Sequence, residues 1–279
     1  LDYYADEEAV LEAFRQFVCG SKPDGTVILC ADDPKAASLA DACPARVLTY
    51  GLSEDADVRL VEIVCNGPGC DIKVALPSGT VLTAKTAVPG EHNALNATAV
   101  LAAISALGLD TSAACRALAD FAGARRRFDV LAEVDGVTVA DDYAHHPTEV
   151  RATLKAARSS NRYKRVWAVF QPHRYTRTAE LGHDFGHAFD DADRVVLLDV
   201  YSAGETPIPG VSGKTIVESL LHRRPRAALA WLPHHDDVLP YLRDRIRPGD
   251  LVLAMGAGDI TATAADLARE IAGEGSPTA

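Results

Sequence analysis

The sequence contains 279 residues, of which 48% are hydrophobic and 24% are charged, and its formal net charge is −11 at pH 7. This composition is typical of a soluble globular protein with room for two domains, and it excludes an intrinsically disordered chain. The acidic balance argues against sequence-independent binding to nucleic acid, and no stretch is long and apolar enough to predict a membrane span. We find no secretory signal, and the six cysteines lie at scattered spacings, so we interpret them as buried free thiols of a cytoplasmic protein.

The first part of the chain alternates helical and strand-like patterns. Apolar residues at helical spacing follow acidic residues near the start, and short apolar runs bounded by turn residues are typical of strands. The pattern predicts helices over residues 6–17, 33–42, 92–107 and 111–121, and strands over residues 26–30, 46–50, 58–65, 72–76 and 80–86.

A second series of alternating elements follows Gly123. Strands that alternate with helices imply a mainly parallel sheet with crossover connections. We therefore predict an α/β protein with a domain over residues 1–123 and a Rossmann-like domain over residues 124–279. Strands are predicted over residues 129–134, 137–140, 165–170, 194–199, 227–232 and 250–255, and helices over 178–189 and 214–221 and from 147, 236 and 260.

Polar residues follow the predicted strands of this second domain. The loops read D-D-Y-A-H-H-P (141–147), Q-P-H-R-Y-T-R (171–177), Y-S-A-G-E-T-P (201–207) and G-A-G-D (256–259). Ligands of such folds gather beyond the carboxyl ends of the strands. The loops therefore predict a site at one edge of the sheet.

Each loop also has an ordinary structural explanation. Asp141 and Asp142 could cap a helix in a solvated turn, and residues 171–177 could form a basic surface turn. The G-A-G-D motif lacks the third glycine of a dinucleotide-binding pattern, so its two glycines favour close packing of a strand on a helix. The number of polar groups gathered in these loops nevertheless indicates a binding site, in which His173, Arg174 and Arg177 of the second loop could hold a carboxylate or a phosphate.

Two histidines four residues apart, His183 and His187, are similar to the H-E-x-x-H zinc pattern if they share one face of a helix. Asp replaces the catalytic Glu, a glycine interrupts the helix, and no third ligand is identifiable. We keep a zinc hydrolase only as an alternative function.

Two further motifs have both structural and functional interpretations. Asn93 and Asn96 could cap a helix or read the edge of a purine. The arginines at 125–127 could be an exposed charge run or a phosphate clamp at a domain junction.

Taken in order, six motifs resemble those of the Mur ligase family, and the resemblance covers essentially the whole chain. They are G-E-H-N-A-L-N (90–96), R-R-F (126–128), D-D-Y-A-H-H-P-T-E (141–149), F-Q-P-H-R-Y-T-R-T (170–178), Y-S-A-G-E-T-P-I-P-G (201–210) and G-A-G-D-I (256–260). The D-D-Y-A-H-H-P (141–147) and F-Q-P-H-R-Y-T-R (170–177) runs are the most specific. The resemblance implies an N-terminal domain for a UDP-sugar, a central ATPase domain and a C-terminal Rossmann-like domain. This chain would hold the later part of the ATPase domain and the complete C-terminal domain, with residues 1–4 following the family's first metal-binding residues.

The resemblance also implies an activity and a set of site residues. The activity is the ATP- and Mg²⁺-dependent joining of L-alanine to UDP-N-acetylmuramate through an acyl phosphate, in peptidoglycan synthesis. The sequence has no G-x-x-G-K-[ST] phosphate loop, so we expect these residues alone to be inactive, and a non-catalytic nucleotide-binding module is the other alternative. No metal ligand is predicted. By motif position, Asn93 and Asn96 would lie by the adenine, Arg126 and Arg127 near the phosphates, Asp142 at the ribose, and Tyr143, His145, His173, Arg174 and Arg177 around alanine and the reacting carboxylate.

Overall fold

The structure is a computed structural model that describes residue 4 and residues 6–273. The interpretation of residues 1–4 therefore falls almost wholly outside the described residues. The chain divides into two compact units, Leu1–Ala122 and Gly123–Ala279. Within the described ranges, no helix combines the length and the apolarity needed to cross a bilayer.

The first unit is built on a five-stranded sheet in the order β1-β2-β3-β4-β5, parallel through β3 and antiparallel from β3 to β5. Ala94 and Leu101 of helix α3 are fully buried against this sheet. The strands are β1 (Thr26–Cys30), β2 (Arg46–Gly51), β3 (Val58–Cys65), β4 (Cys70–Ala75) and β5 (Val81–Thr86), and the helices are α1 (Glu7–Cys19), α2 (Pro34–Ala37), a 3₁₀ turn (Ala40–Ala42), α3 (Glu91–Ala106) and α4 (Thr111–Asp120).

Side-chain caps determine where several helices begin. Asp6 accepts a hydrogen bond from the N–H of Ala9, and Asp110 accepts one from the N–H of Ser112, both at 2.8 Å. Ser212 caps the helix Gly213–Arg223 of the second unit in the same way. Short polar side chains satisfy N–H groups that have no partner in the first turn, so these starts follow from the local sequence.

Two cysteines of the β3–β4 hairpin form a disulfide. Cys65 and Cys70 face each other in the antiparallel pairing, and the N-G-P-G turn between them brings their Cα atoms to 4.1 Å. The prediction of six buried free thiols is therefore wrong, because strand register rather than a C-x-x-C spacing brings these two together. The remaining cysteines are free, and none of the four is fully buried: Cys19, Cys30, Cys43 and Cys115.

The second unit is a six-stranded sheet in the order β10-β9-β8-β11-β7-β6, parallel except for the β6–β7 pair. Helices cover both faces, which explains why strands such as β8 and β11 are apolar along their length. The predicted α/β class and mainly parallel sheet are confirmed. The elements are β6 (Asp129–Val134), β7 (Val137–Asp142), α5 (Pro147–Ser159), β8 (Arg165–Phe170), α6 (Tyr175–Leu181), α7 (Phe185–Ala188), β9 (Arg194–Leu197), α8 (Gly213–Arg223), β10 (Leu229–Trp231), α9 (His235–Arg243), β11 (Asp250–Met255) and α10 (Ile260–Ile271).

The continuous helix predicted over 178–189 is wrong, because the structure has two short helices, α6 and α7, with a turn between them. Close packing on α8 determines this region: a Cβ on Gly182 would lie 2.7 Å from Cγ2 of Thr215, and one on Gly186 would lie 2.7 Å from Oγ of Ser219. His183 lies in the turn. It therefore does not share a helix face with His187, and the zinc pattern loses its structural basis.

Candidate active site at the carboxyl ends of the parallel strands

Strand β11 pairs with both β7 and β8, so the loops after all three strands open on the same edge of the sheet. The chain after β8 extends this edge, since His173 forms an isolated parallel bridge with Tyr201 beyond β9. Strand β7 is longer than predicted and ends at Asp142, so Asp141 and Asp142 are its last residues and do not belong to the loop.

A row of four aromatic rings connects the loops along this edge. The rings of Tyr143 and His145 are 5.2 Å apart, and those of His145 and His173 are 5.9 Å apart. The ring of Tyr201 stacks on His173 at 5.6 Å. Residues from three different loops thus form one continuous surface.

The hydrogen bonds of His145 define which nitrogen carries its proton. Nδ1 lies 2.9 Å from the carbonyl oxygen of Tyr143 and 3.5 Å from a carboxylate oxygen of Glu149. Both neighbours can only accept a hydrogen bond, so Nδ1 carries the proton. In the neutral ring, Nε2 of His145 then has a lone pair that can accept a proton.

His173 has the opposite arrangement. Its Nδ1 lies 3.2 Å from Nη1 of Arg177, and a guanidinium can only donate. Nδ1 is therefore the acceptor, and the neutral ring carries its proton on Nε2. The half-buried Arg177 extends from the first turn of α6 toward the same ring.

Arg174 begins α6 with a φ of 70°, which is uncommon for a residue other than glycine. Its N–H donates to the carbonyl oxygen of Tyr201 at 2.8 Å, and its guanidinium lies 3.8 Å from Glu205. Burial alone would raise the pKa of Glu205, but hydrogen bonds from the Thr176 hydroxyl and N–H outweigh it and lower that pKa. An ionised Glu205 thus neighbours Arg174.

Asp142 is 4% exposed and forms hydrogen bonds with the backbone of two loops. Its Oδ2 accepts a hydrogen bond from the N–H of Phe128 at 2.7 Å, and its Oδ1 accepts one from the N–H of Ala144 at 2.8 Å. Burial raises its pKa to about 6, although the two backbone donors oppose that shift. In this structure the carboxylate therefore holds backbone in place at the base of the site.

The arginines at the start of the second unit have different environments. Arg126 is 27% exposed and donates to Asp141 and to the carbonyl oxygen of Gly256. Arg127 is 52% exposed and lies over the ring of Tyr143, 5.7 Å from its centroid. Arg127 thus presents a cation at the surface, whereas Arg126 is engaged within the protein.

Two residues of this edge had no predicted role. Glu149 accepts hydrogen bonds from the N–H groups of His145 and His146. Burial alone would raise the pKa of Glu149, but these hydrogen bonds outweigh burial and lower that pKa. Gln171 donates to Asp259 at 2.7 Å and accepts from the N–H of Ile260. A Glu three residues after a helix cap is a capping-box signal that could have identified Glu149, but the cap here is His146, and histidine is an unusual cap.

The first unit carries the two asparagines predicted to contact adenine. Both lie on α3, three residues apart. The side-chain amide of Asn93 donates to the carbonyl oxygen of Pro89 at 2.7 Å, and Asn96 is exposed. Asn93 thus also ties the start of the helix to the preceding turn.

The residues that the structure describes contain no group of three or more His, Cys, Asp or Glu side chains suited to a metal ion.

Comparison with known proteins gives a consistent result for both units. The Mur ligase middle domain matches residues 1–104, and the domain described as Mur ligase, glutamate ligase domain matches residues 126–258. UDP-N-acetylmuramate--L-alanine ligase of Pelotomaculum thermopropionicum is 43% identical over 277 residues, covering 97% of this chain and 59% of the relative. The protein of the same name from Acidothermus cellulolyticus is 45% identical, covering 92% of this chain and 54% of the relative.

A solved structure agrees with these sequences. UDP-N-acetylmuramate-alanine ligase from Thermotoga maritima superimposes with a TM-score of 0.76 at 26% identity, covering 97% of this chain and 56% of that protein. This chain thus spans somewhat more than half the length of the relatives that it matches. The sequence, the fold and the domain matches together show that the chain belongs to the Mur ligase family.

Proposed function

We propose that the chain is part of an ATP-dependent ligase that joins L-alanine to UDP-N-acetylmuramate through an acyl phosphate in peptidoglycan synthesis. The names of the relatives supply the substrates. The observation that carries the proposal is the convergence of Tyr143 and His145 with His173 on one edge of the second unit. Residues 1–123 would then belong to the ATP-binding domain and residues 124–279 to the domain that receives alanine, in a cytoplasmic protein whose remaining length supplies the UDP-sugar site.

The reaction requires an activated acyl group, because a free carboxylate is a poor acyl donor. ATP supplies this activation by transferring a phosphoryl group to the muramate carboxylate. The chain's own residues then have three tasks: to bind the carboxylate of alanine, to remove a proton from its ammonium group, and to stabilise the charge that develops on the acyl oxygen.

The two histidines suit different tasks because their protons lie on different nitrogens. In the neutral ring, Nε2 of His145 can accept the proton that the attacking nitrogen loses. The N–H at Nε2 of His173 can donate a hydrogen bond to the acyl oxygen. We assign the binding of alanine's carboxylate to Arg177, with Arg174 and Tyr143 beside it, since guanidinium groups bind carboxylates at two points.

On the ATP side, Arg127 suits contact with phosphate, because its guanidinium is exposed beside Tyr143. Asn96 and the oxygen of the Asn93 side chain are proposed to face the adenine. The ribose contact expected of Asp142 remains a prediction, which requires its oxygens to accept further hydrogen bonds. We assign no Mg²⁺ ligand among the described residues.

Phosphate release tests the function directly. A protein of the relatives' full length that contains this chain should release phosphate from ATP only when both UDP-N-acetylmuramate and L-alanine are present. The 279 residues alone should show no release, because their sequence has no phosphate loop. A full-length protein that is inactive with alanine would reject the proposal. Nucleotide binding by the 279 residues alone, measured by titration, would then favour a non-catalytic nucleotide-binding module.

A further inference from the structure

The turn at 124–128, which we call the arginine turn, has a backbone that its sequence does not favour. The N–H of Arg127 donates to the carbonyl oxygen of Ala124, which closes a four-residue turn. Arg126, at the third position, has a φ of 61°, and Phe128 has a φ of 50°. Turns of this kind favour glycine or asparagine at the third position, because a Cβ disfavours positive φ. Other contacts must therefore hold the turn in this conformation.

Backbone N–H groups of Arg126 and Phe128 donate to Asp129 and Asp142, and the guanidinium of Arg126 adds contacts to the ends of two strands. Nε donates to Oδ2 of Asp141 at 3.1 Å, and Nη2 donates to the carbonyl oxygen of Gly256 at 2.7 Å. Asp141 is buried at the end of β7, and Gly256 follows the end of β11. The planar fork of donors thus bridges two neighbouring strands, which a single ammonium group cannot do with the same geometry.

The backbone of Arg126 continues into the site. Its carbonyl oxygen accepts a hydrogen bond from the N–H of Tyr143 at 2.7 Å, and its guanidinium lies 4.9 Å from the centre of the Tyr143 ring. Arg127 lies over the same ring. The position of Arg127 and that of Tyr143 therefore depend on the same side chain.

We propose that Arg126 is a positioning residue, which clamps the arginine turn to the ends of β7 and β11 and so presents Arg127 toward the phosphates of ATP. This inference rests on the proposed function for the role of Arg127. It replaces the direct phosphate contact that motif position alone suggests for Arg126.

A double-mutant cycle in the full-length ligase tests the inference. Arg126→Gly removes the guanidinium while permitting the positive φ, and it should raise the KM for ATP about 10-fold. In an Arg127→Ala background, Arg126→Gly should raise the KM for ATP by less than about 2-fold further, because Arg126 acts through Arg127. Arg126→Lys keeps the charge and should not restore the KM. The matched control is Arg226→Gly, at an exposed arginine in the turn before β10, which should leave the KM unchanged.

Hydrogen exchange provides a measurement that needs no ATP. The Tyr143 amide should exchange faster in Arg126→Gly and Arg126→Lys than in the wild type and in Arg226→Gly. An unchanged Tyr143 amide would overturn the inference, as would additive effects in the cycle or full rescue by lysine. An unchanged KM for ATP in Arg127→Ala would instead reject the role of Arg127 in the proposed function, and the exchange result would distinguish that failure from a failure of the clamp.

Discussion

The rings of His145 and His173 lie 5.9 Å apart, although their loops follow strands that β11 separates. Each Nδ1 faces a partner of the opposite kind, a carbonyl oxygen for His145 and a guanidinium for His173. In the neutral rings, Nδ1 of His145 and Nε2 of His173 therefore carry the proton. A proton acceptor and a hydrogen-bond donor are thus placed side by side.

The first prediction concerns His145. Because Nε2 of His145 is proposed to accept the proton from alanine, His145→Gln should lower kcat of the full-length ligase about 100-fold, at the lower end for general-base catalysis. Steady-state kinetics at saturating substrates measure this loss. His222→Gln, on the exposed last turn of α8, is the control. A His145→Gln enzyme that keeps the wild-type kcat would exclude His145 as the base.

Arg177 should affect alanine more than ATP. Loss of a charge-assisted contact to the carboxylate costs on the order of 1.5–3 kcal/mol, so Arg177→Ala should raise the KM for alanine at least about 10-fold. Arg177→Lys should lose less affinity for alanine than Arg177→Ala but should not match the wild type, because lysine lacks the planar fork of donors. Arg226→Ala, exposed ahead of β10 and away from the carboxyl ends, should behave as the wild type. An Arg177→Ala enzyme with an unchanged KM for alanine would remove Arg177 from the site.

Asp250 should stabilise the second unit. It is 1% exposed and accepts hydrogen bonds from both sides of the Arg165 guanidinium and from Nε1 of Trp167. Asp250→Ala leaves Arg165 without its partner and should lower the free energy of unfolding by about 3 kcal/mol at pH 7. Chemical denaturation measures this loss. Asp190→Ala breaks the exposed pair with Arg223 and should change stability much less.

The pH dependence of Asp250 follows from the direction of its shift. Burial would raise the pKa of Asp250, but the hydrogen bonds from Arg165, Arg247 and Trp167 outweigh it and lower that pKa. Its stabilising contribution is therefore present above the ordinary carboxyl pKa and is lost as the pH falls through the lowered value. The difference in stability between wild type and Asp250→Ala should shrink in acid, and a difference that stays constant down to pH 2 would contradict this.

Asp142 should have the opposite pH dependence. Burial raises its pKa from 3.8 to about 6, so the folded protein binds this proton more tightly than the unfolded chain does. Between pH 6 and pH 4 the protonated group should increase the free energy of unfolding by on the order of 2–3 kcal/mol. The increase should be absent in Asp142→Asn, as measured by denaturation at each pH, and present in the exposed control Asp236→Asn. Superimposable curves for wild type and Asp142→Asn would contradict the prediction.

Local sequence patterns predicted most of the second unit well. The strands at 165–170 and 250–255 have the predicted bounds. Strands of a parallel sheet are buried on both faces, so a continuous apolar run between turn residues marks where each strand begins and ends. The polar loops after those strands also indicated the edge on which the candidate site lies. Topology supplies that information, since parallel strands direct their carboxyl ends to one side.

Features that depend on contacts between distant parts of the chain could not be read from the sequence. The sequence predicted that β7 ends at Ala140, because aspartate is rare in strands. In the structure, pairing with β11 extends β7 to Asp142. Motif position assigned Arg126 to a phosphate, but only the structure shows its bond to Gly256, 130 residues away. The tautomers of His145 and His173 likewise depend on partners that the spacing of the histidines does not specify.

The position of β11 has a consequence for biosynthesis. This strand is the last of its sheet along the sequence, yet it is inserted between β7 and β8, which are made about 100 residues earlier. While the chain emerges from the ribosome, β7 and β8 cannot yet hold their final separation. The candidate site can therefore be completed only when nearly the whole unit has been translated, and a nascent chain stalled before Asp250 would be folded only in part.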